Sequence, residues 1–267
     1  AYHREEQWAA LAADEDAVYD ETIEIDLSTL EPLIALPHSP DKVVPVREVA
    51  GTKVDQVMMG SCTNGSLQDL LMTAHILAGR KIARDVDAGL VPASRRAVRE
   101  CGARGAHDKI IASGVRIFEP ACGGCNGCGF APQTDGVSLR TTPRNFLGRS
   151  GTASAQVYLV GPEVAAASAL TGVITDPRDL GLPPLEYEMP EFFVDDRDLF
   201  LPPATEPEAI VVRRGPNSKP IPEMPALPDQ VQGEVLLKLG DGITTDHIVP
   251  AGANYTPIRS NIPEFSK

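Results

Sequence analysis

The chain has 267 residues and a formal net charge of −13, from 24 Lys and Arg against 37 Asp and Glu. Hydrophobic residues make up 42% and charged residues 23% of it, the composition of a globular protein with enough apolar material for a sizeable core. The acidic balance argues against a surface built to neutralise nucleic-acid phosphates, and an anionic ligand would need a local basic pocket set against the overall field. No apolar run approaches the roughly 20 residues that span a bilayer, and residues 1–20 lack the basic flank and apolar centre of a secretory leader. The expectation is a reducing compartment, the cytoplasm. There, five cysteines serve as metal ligands or catalytic groups rather than as a disulfide framework.

Strand-like and helix-like segments alternate along the chain, which predicts an α/β fold with a mainly parallel sheet. Residues 22–27 (TIEIDL) alternate apolar and polar as a half-buried strand does, and 54–59 (VDQVMM) read as a second strand. GSCTNGS follows at 60–66, and then Leu67, Leu70, Leu71, Ala74 and Leu77 recur at helical spacing, so Cys62 is expected on a strand-to-helix turn. Cys101, in RECGARG, falls on an expected helix and reads as a packed thiol; His75 reads as a packed or surface helix residue. Further strands are expected at 115–118, 137–142 and 156–160. Pro162 at a first helical position and Gly172 just past the end bracket the alanine-rich helix PEVAAASALTG.

Near Asp176 the texture changes. Residues 1–185 read as one α/β domain, 186–231 as a proline-rich, semi-rigid linker, and 232–267 as the start of a further unit that opens on a strand at 233–240 (GEVLLKLG). That last stretch is shorter than the roughly 40 residues at which small domains become marginal. With no initiator Met at the start either, a piece of a longer protein is expected.

The densest chemistry lies in PACGGCNGCGFAP at 120–132, which sets Cys122, Cys125 and Cys128 among glycines. Thiolates are soft ligands for zinc or iron–sulfur clusters, and glycines let the backbone bend tightly around a metal centre. A zinc knot would want two paired ligand motifs, and only one tight triplet is present. An electron carrier could use Cys62, Cys122, Cys125 and Cys128 together. Three cysteines could instead hold a cluster whose fourth iron is open to substrate. Spacing alone leaves the last two readings side by side.

GSCTNGS at 60–66, CGGCNG at 122–127, PRNFLGR at 143–149 and GDGITTDHIVPAG at 240–252 together resemble, in this order, the signature of the aconitase superfamily. The likeness extends to YDETIEIDLSTLEP at 19–32 and RGPNSKPIPEMP at 214–225. It is greatest to the C-terminal half of the single-chain bacterial aconitate hydratases, from the third α/β domain into the swivelling fourth. The resemblance implies a three-layer α/β/α domain with a mainly parallel sheet, then a proline-rich linker and the truncated start of the swivelling domain. It implies a 4Fe-4S cluster held by Cys62, Cys122 and Cys125, with one iron not bound by cysteine. It further implies substrate-binding roles for Arg144, Arg149 and Arg259 and catalytic roles for Asp246 and His247.

The reaction so implied is the isomerisation of citrate and isocitrate through cis-aconitate by dehydration and rehydration. The alternatives are isopropylmalate, homocitrate or 2-methylcitrate as substrate. The expected partners are a small tri- or dicarboxylate, N-terminal domains and the remainder of the swivelling domain, without which the chain is expected to be inactive. Some members of the superfamily bind RNA when the cluster is lost, a role the acidic charge opposes here. Three positions depart from the pattern: Pro143 replaces an asparagine common in related enzymes, Val249 a serine found in some, and Cys128 is extra to the three-cysteine set. Standing alone, Arg144 and Arg149 would read as surface ion-pair partners, and Asp246 and His247 as loop caps.

Overall fold

The computed structural model describes residues 11–188, 201–216, 223–243 and 247, so Asp246 and Arg259 lie outside the described residues. The chain divides into two units, residues 1–31 and 32–267. In the first, the strand expected at 22–27 does not form, and Ile23, Ile25 and Leu27 are exposed. Alternation supplies a face for a strand but not the neighbouring strand whose ladder would hold it. A single 3-10 turn, Leu27–Thr29, forms there instead, capped by the Asp26 carboxylate accepting from the Ser28 N–H at 2.9 Å.

Among its described residues the second unit has seven strands: β1 (Leu33–Ala35), β2 (Val43–Pro45), β3 (Gln56–Gly60), β4 (Asp87–Val91), β5 (Arg116–Ile117), β6 (Val137–Arg140) and β7 (Gln156–Val160). They lie in the order β2-β1-β7-β6-β3-β4-β5. The pairs β3/β4, β3/β6, β4/β5 and β6/β7 are parallel, while β1 runs antiparallel to both β2 and β7. The helices are α1 (Ser61–Asn64), α2 (Leu67–Leu77), α3 (Arg95–Ala103), α4 (Ala106–Ser113) and α5 (Pro162–Thr171). The expected α/β architecture with a mainly parallel sheet is therefore what forms.

Side chains on a strand alternate between faces, and the two faces here bury different material. Val57, Met59, Ala88, Leu90 and Leu139 join Leu70, Ala74, Leu77, Ile110 and Val164 of the helices in the main core. Met58 and Val91 instead form a second cluster with Phe130, against which Phe118 and Cys125 pack. The α5 helix is buried nearly all round, and its alanines let it lie close to both β3 and α2. Gly172, at φ +79°, closes it in the left-handed conformation that glycine adopts freely. The α2 helix starts with a capping box: the Ser66 N–H donates to the Asp69 carboxylate at 2.9 Å and the Asp69 N–H to the Ser66 hydroxyl at 3.3 Å.

The strand expected at 233–240 does not form, and Val235, Leu236 and Leu237 are exposed. Among the described residues no strand pairs with this apolar run, and a strand is held by the ladder to such a neighbour. No helix among the described residues is long and apolar enough to cross a membrane.

Candidate functional site

In an open parallel sheet, ligands gather beyond the carboxyl ends of the strands. Three loops carrying the residues singled out from the sequence leave β3, β5 and β6 at that edge. The first is the turn from β3 into α1. Gly60 has φ +88°, and a Cβ there would overlap the Val91 carbonyl oxygen, so the chain crosses β4 too closely for a side chain. Ser61 follows, buried and at φ +81°, a costly conformation for a residue with a Cβ. Cys62 comes next and is exposed. The turn is tied to the end of β6: Asn64 Nδ2 donates to the Thr141 carbonyl at 2.8 Å, and the Thr141 hydroxyl donates to the Gly60 carbonyl at 2.9 Å.

The second loop follows β5. It contains one 3-10 turn, Gly124–Asn126, and reverses at Gly127, with φ +87°. Its own backbone closes it, the Cys128 N–H donating to the Gly123 carbonyl at 3.0 Å. Cys122 and Cys128 are exposed, whereas Cys125 is half-buried against the Met58, Val91 and Phe130 cluster. Beneath this loop lies Arg140, fully buried. Burial pulls its guanidinium down to about 10, and the nearby Cys125 opposes that pull, so Arg140 is charged at neutral pH.

The third loop follows β6. Its anchor is the buried Asn145, whose Nδ2 donates to the carbonyls of Leu36 at 2.8 Å and Val157 at 3.0 Å. Arg144 is exposed. Arg149 is half-buried, and its Nε and Nη1 are buried without a hydrogen-bond partner, as are the hydroxyls of Thr142 and Ser150. Buried donors left unpaired are costly, and a guanidinium fork suits a carboxylate. The second and third loops touch. A Cβ at Gly127 would overlap the Ser150 carbonyl oxygen, and the Thr152 hydroxyl donates to the Pro132 carbonyl at 2.6 Å.

The structure thus sets the loops of Cys62, of Cys122 and Cys125, and of Arg144 and Arg149 along one sheet edge. It does not gather the sulfurs into a ligand group, and no such group of three occurs among the described residues. The donor set fits an iron–sulfur cluster in its chemistry: soft thiols on glycine-bent loops, with unpaired buried donors on the loop beside them. His247 is described and exposed. Cys101 is fully buried, which pushes its thiol up to about 11, and the half-buried His75 has its Nε2 2.9 Å from the Pro183 carbonyl.

Sequence reading missed Gln56, Ser138 and Arg140. The register pairs Gln56 with Ser138 and Met58 with Arg140, and the Gln56 Oε1 accepts from the Ser138 hydroxyl at 2.9 Å and from Arg140 Nη2 at 2.8 Å. The signal available was polar residues in strands that a parallel sheet buries on both faces, where near-continuous apolar runs are the rule.

The sequence matches the aconitase family (aconitate hydratase) over residues 1–51 and 46–172. The chain belongs to the aconitase family. It is 45% identical over 171 residues to the 3-isopropylmalate dehydratase large subunit 1 of Archaeoglobus fulgidus, a stretch covering 64% of this chain and 41% of that protein. Its similarity to the 3-isopropylmalate dehydratase large subunit of Nitratiruptor sp. is 45% over 171 residues, covering 63% and 41% of the two chains. With the large subunit 2 of Rubrobacter xylanophilus it shares 43% over 175 residues, covering 65% and 41%. The chain thus spans about two fifths of the length of these relatives.

Proposed function

We propose that the chain is the cluster-bearing segment of a cytoplasmic hydro-lyase that moves a hydroxyl group between neighbouring carbons of a hydroxy di- or tricarboxylate. Isopropylmalate is the preferred substrate class, supported by the names of these relatives. Citrate is the second reading, supported by the family's description as aconitate hydratase and by the resemblance of the chain as a whole to the C-terminal half of the single-chain bacterial aconitate hydratases. In this reaction one carbon loses hydroxide, its neighbour loses a proton to give the alkene, and water returns with the two positions exchanged.

In this reading Cys62, Cys122 and Cys125 hold a 4Fe-4S cluster and leave one iron without cysteine. When bound, the cluster supplies a Lewis acid that offsets the charge growing on the departing hydroxide. Arg149 and Arg144 fix the substrate carboxylates, Arg149 through donors already stripped of water and of protein acceptors. Asp246 and His247 are assigned to proton handling and Arg259 to a further carboxylate. The domain plan is residues 1–185, a linker at 186–231 and a swivelling domain from 232, with other domains completing the enzyme. The observation that carries the reading is the unpartnered, buried edge of Arg149, on the loop against which Gly127 of the cysteine loop packs.

The test is anaerobic reconstitution with iron and sulfide, then EPR of the three-iron and four-iron forms with and without isopropylmalate or citrate, in wild type and Cys128→Ala. A cluster that survives the substitution, exchanges one iron readily and changes its signal with isopropylmalate supports the reading. A signal altered by citrate alone favours the second substrate. Loss of the cluster in Cys128→Ala makes all four cysteines ligands and the chain an electron-transfer module.

A further inference from the structure

Arg140 ends β6 with all five of its N–H donors engaged. Nε donates to the Ser138 hydroxyl at 3.0 Å; Nη1 donates to the Gly124 carbonyl at 2.8 Å and to Met58 Sδ at 3.3 Å; Nη2 donates to Gln56 Oε1 and to the Phe130 carbonyl, both at 2.8 Å. Two of these acceptors, the carbonyls of Gly124 and Phe130, bracket Cys125 and Cys128 in the cysteine loop. A second strap runs alongside, since Gln56 Nε2 donates to the Ala131 carbonyl at 3.2 Å. No donor remains for a substrate carboxylate, so Arg140 differs in kind from Arg149.

Every acceptor of Arg140 is neutral, and among the described residues no carboxylate pairs with it. A cation this deeply buried is expensive unless an anion lies close. The cysteine loop is where anions would gather, as thiolates and as the sulfide of a cluster.

We propose that Arg140 is a positioning residue that clamps the cysteine loop at Gly124 and Phe130 and supplies the positive charge that offsets the sulfur ligands gathered there. The charge role rests on the cluster reading; the clamp does not. A fixed positive charge in a low-dielectric site favours the more negative, reduced state of a cluster, so its removal disfavours reduction.

Redox titration followed by EPR, on the reconstituted full chain as wild type, Arg140→Gln and Arg140→Lys, tests the charge. In Arg140→Gln the ratio of reduced to oxidised cluster at a fixed potential is expected to fall about tenfold, about 59 mV for one electron. Arg140→Lys, which keeps the charge, is expected to stay near wild type. A wild-type potential in Arg140→Gln overturns the charge role.

Hydrogen exchange on the cluster-free chain tests the clamp, using Arg140→Lys, which keeps the charge but has no fork to reach the Gly124 and Phe130 carbonyls together, with Gln56→Met, which removes one acceptor of Arg140 and the Ala131 strap, as the second variant. The amides of Asn126, Gly127, Cys128 and Phe130, each bonded within the loop, are expected to exchange about tenfold faster while α2 and α5 keep their protection. Unchanged exchange of those four amides in Arg140→Lys overturns the clamp; where Arg140→Lys does not fold, unchanged exchange in Gln56→Met, whose lost acceptor leaves the guanidinium free to shift, does so. A wild-type chain that takes up no cluster overturns the cluster reading and with it the charge role, and leaves the clamp to the exchange result.

Discussion

The side-chain amide of Asn64 donates to the carbonyl oxygen of Thr141 at 2.8 Å, joining the turn that presents Cys62 to the strand end that leads into Arg144. A second bond in the opposite sense, from the Thr141 hydroxyl to the Gly60 carbonyl at 2.9 Å, locks the pair. Replacing Asn64 with Leu leaves a part-buried carbonyl without its donor. The expected cost is about 1 kcal/mol, seen as a lower urea midpoint at unchanged slope. Hydrogen exchange should quicken at 61–65 and 141–149 and not in α5. A variant as stable as wild type would show that the Asn64 bond contributes nothing to holding the two loops together.

Two glycines of the cysteine loop separate backbone preference from steric contact. Gly127 and Gly129 both have positive φ, +87° and +72°, but only at Gly127 would a Cβ overlap another chain segment, the Ser150 carbonyl. Gly129→Ala is expected to cost about 1 kcal/mol, the conformational term alone. Gly127→Ala carries the same term plus displacement of the arginine loop, for a total above about 2 kcal/mol. Urea unfolding of the two variants measures the difference, and equal losses would mean that the loops yield to each other freely.

The thiols should react in an order set by exposure. In the cluster-free chain, Cys62, Cys122 and Cys128 are exposed, Cys125 is half-buried and Cys101 is buried. Brief alkylation read by peptide mass spectrometry should mark the first three ahead of Cys125 and leave Cys101 unmarked. Burial raises the Cys101 thiol from 9.0 to about 11. The buried neutral thiol therefore favours the folded state fully below pH 9.0, and that contribution is lost as pH climbs through about 11. Stability should fall more steeply over this window in the wild type than in Cys101→Ala, and parallel curves would contradict the assignment.

Local patterns were legible where a segment's own residues settle its structure. The helical spacing of Leu67, Leu70, Ala74 and Leu77 gives α2, Pro162 and Gly172 bound α5, and the strand expected at 156–160 forms at Gln156–Val160. The turn holding Cys62 follows from a strand and a helix meeting at glycines. What failed needed a neighbour. Residues 22–27 and 233–240 have strand-like composition, but among the described residues no strand pairs with them. The Arg140 network failed for the opposite reason. VSLR reads as a half-exposed alternation, and only the register of β6 against β3 sets Ser138 and Arg140 beside Gln56 and Met58 on the face beneath the cysteine loop. The free donors of Arg149 were equally invisible, because they depend on which acceptors the folded loop withholds.

Asp176, just after α5, has its side chain almost wholly buried, yet it is held by two half-exposed arginines. Arg178 donates from Nε at 2.9 and 3.1 Å and from Nη2 at 2.6 Å, its backbone N–H donates at 3.0 Å, and Arg47 Nε lies 2.9 Å from Oδ2. Hydrogen bonding from Arg178 holds the carboxyl below its ordinary value of 3.8, with burial working against it. A carboxylate lowered in this way stabilises the fold at all pH values above 3.8, and the contribution drains away as pH falls through the still lower value of the folded state. Asp176→Asn should therefore cost about 1.5 to 3 kcal/mol at pH 7, the range for hydrogen bonds to a charged group. Near pH 3 the gap between variant and wild type should narrow, because below 3.8 the unfolded wild-type chain takes up a proton on this carboxyl and part of the advantage of the charged form is lost. Urea unfolding of both proteins at the two pH values measures this. An undiminished gap at low pH would mean that the substituted amide misfits the pocket rather than merely lacking charge, and no gap at pH 7 would mean that the two arginines contribute nothing to stability.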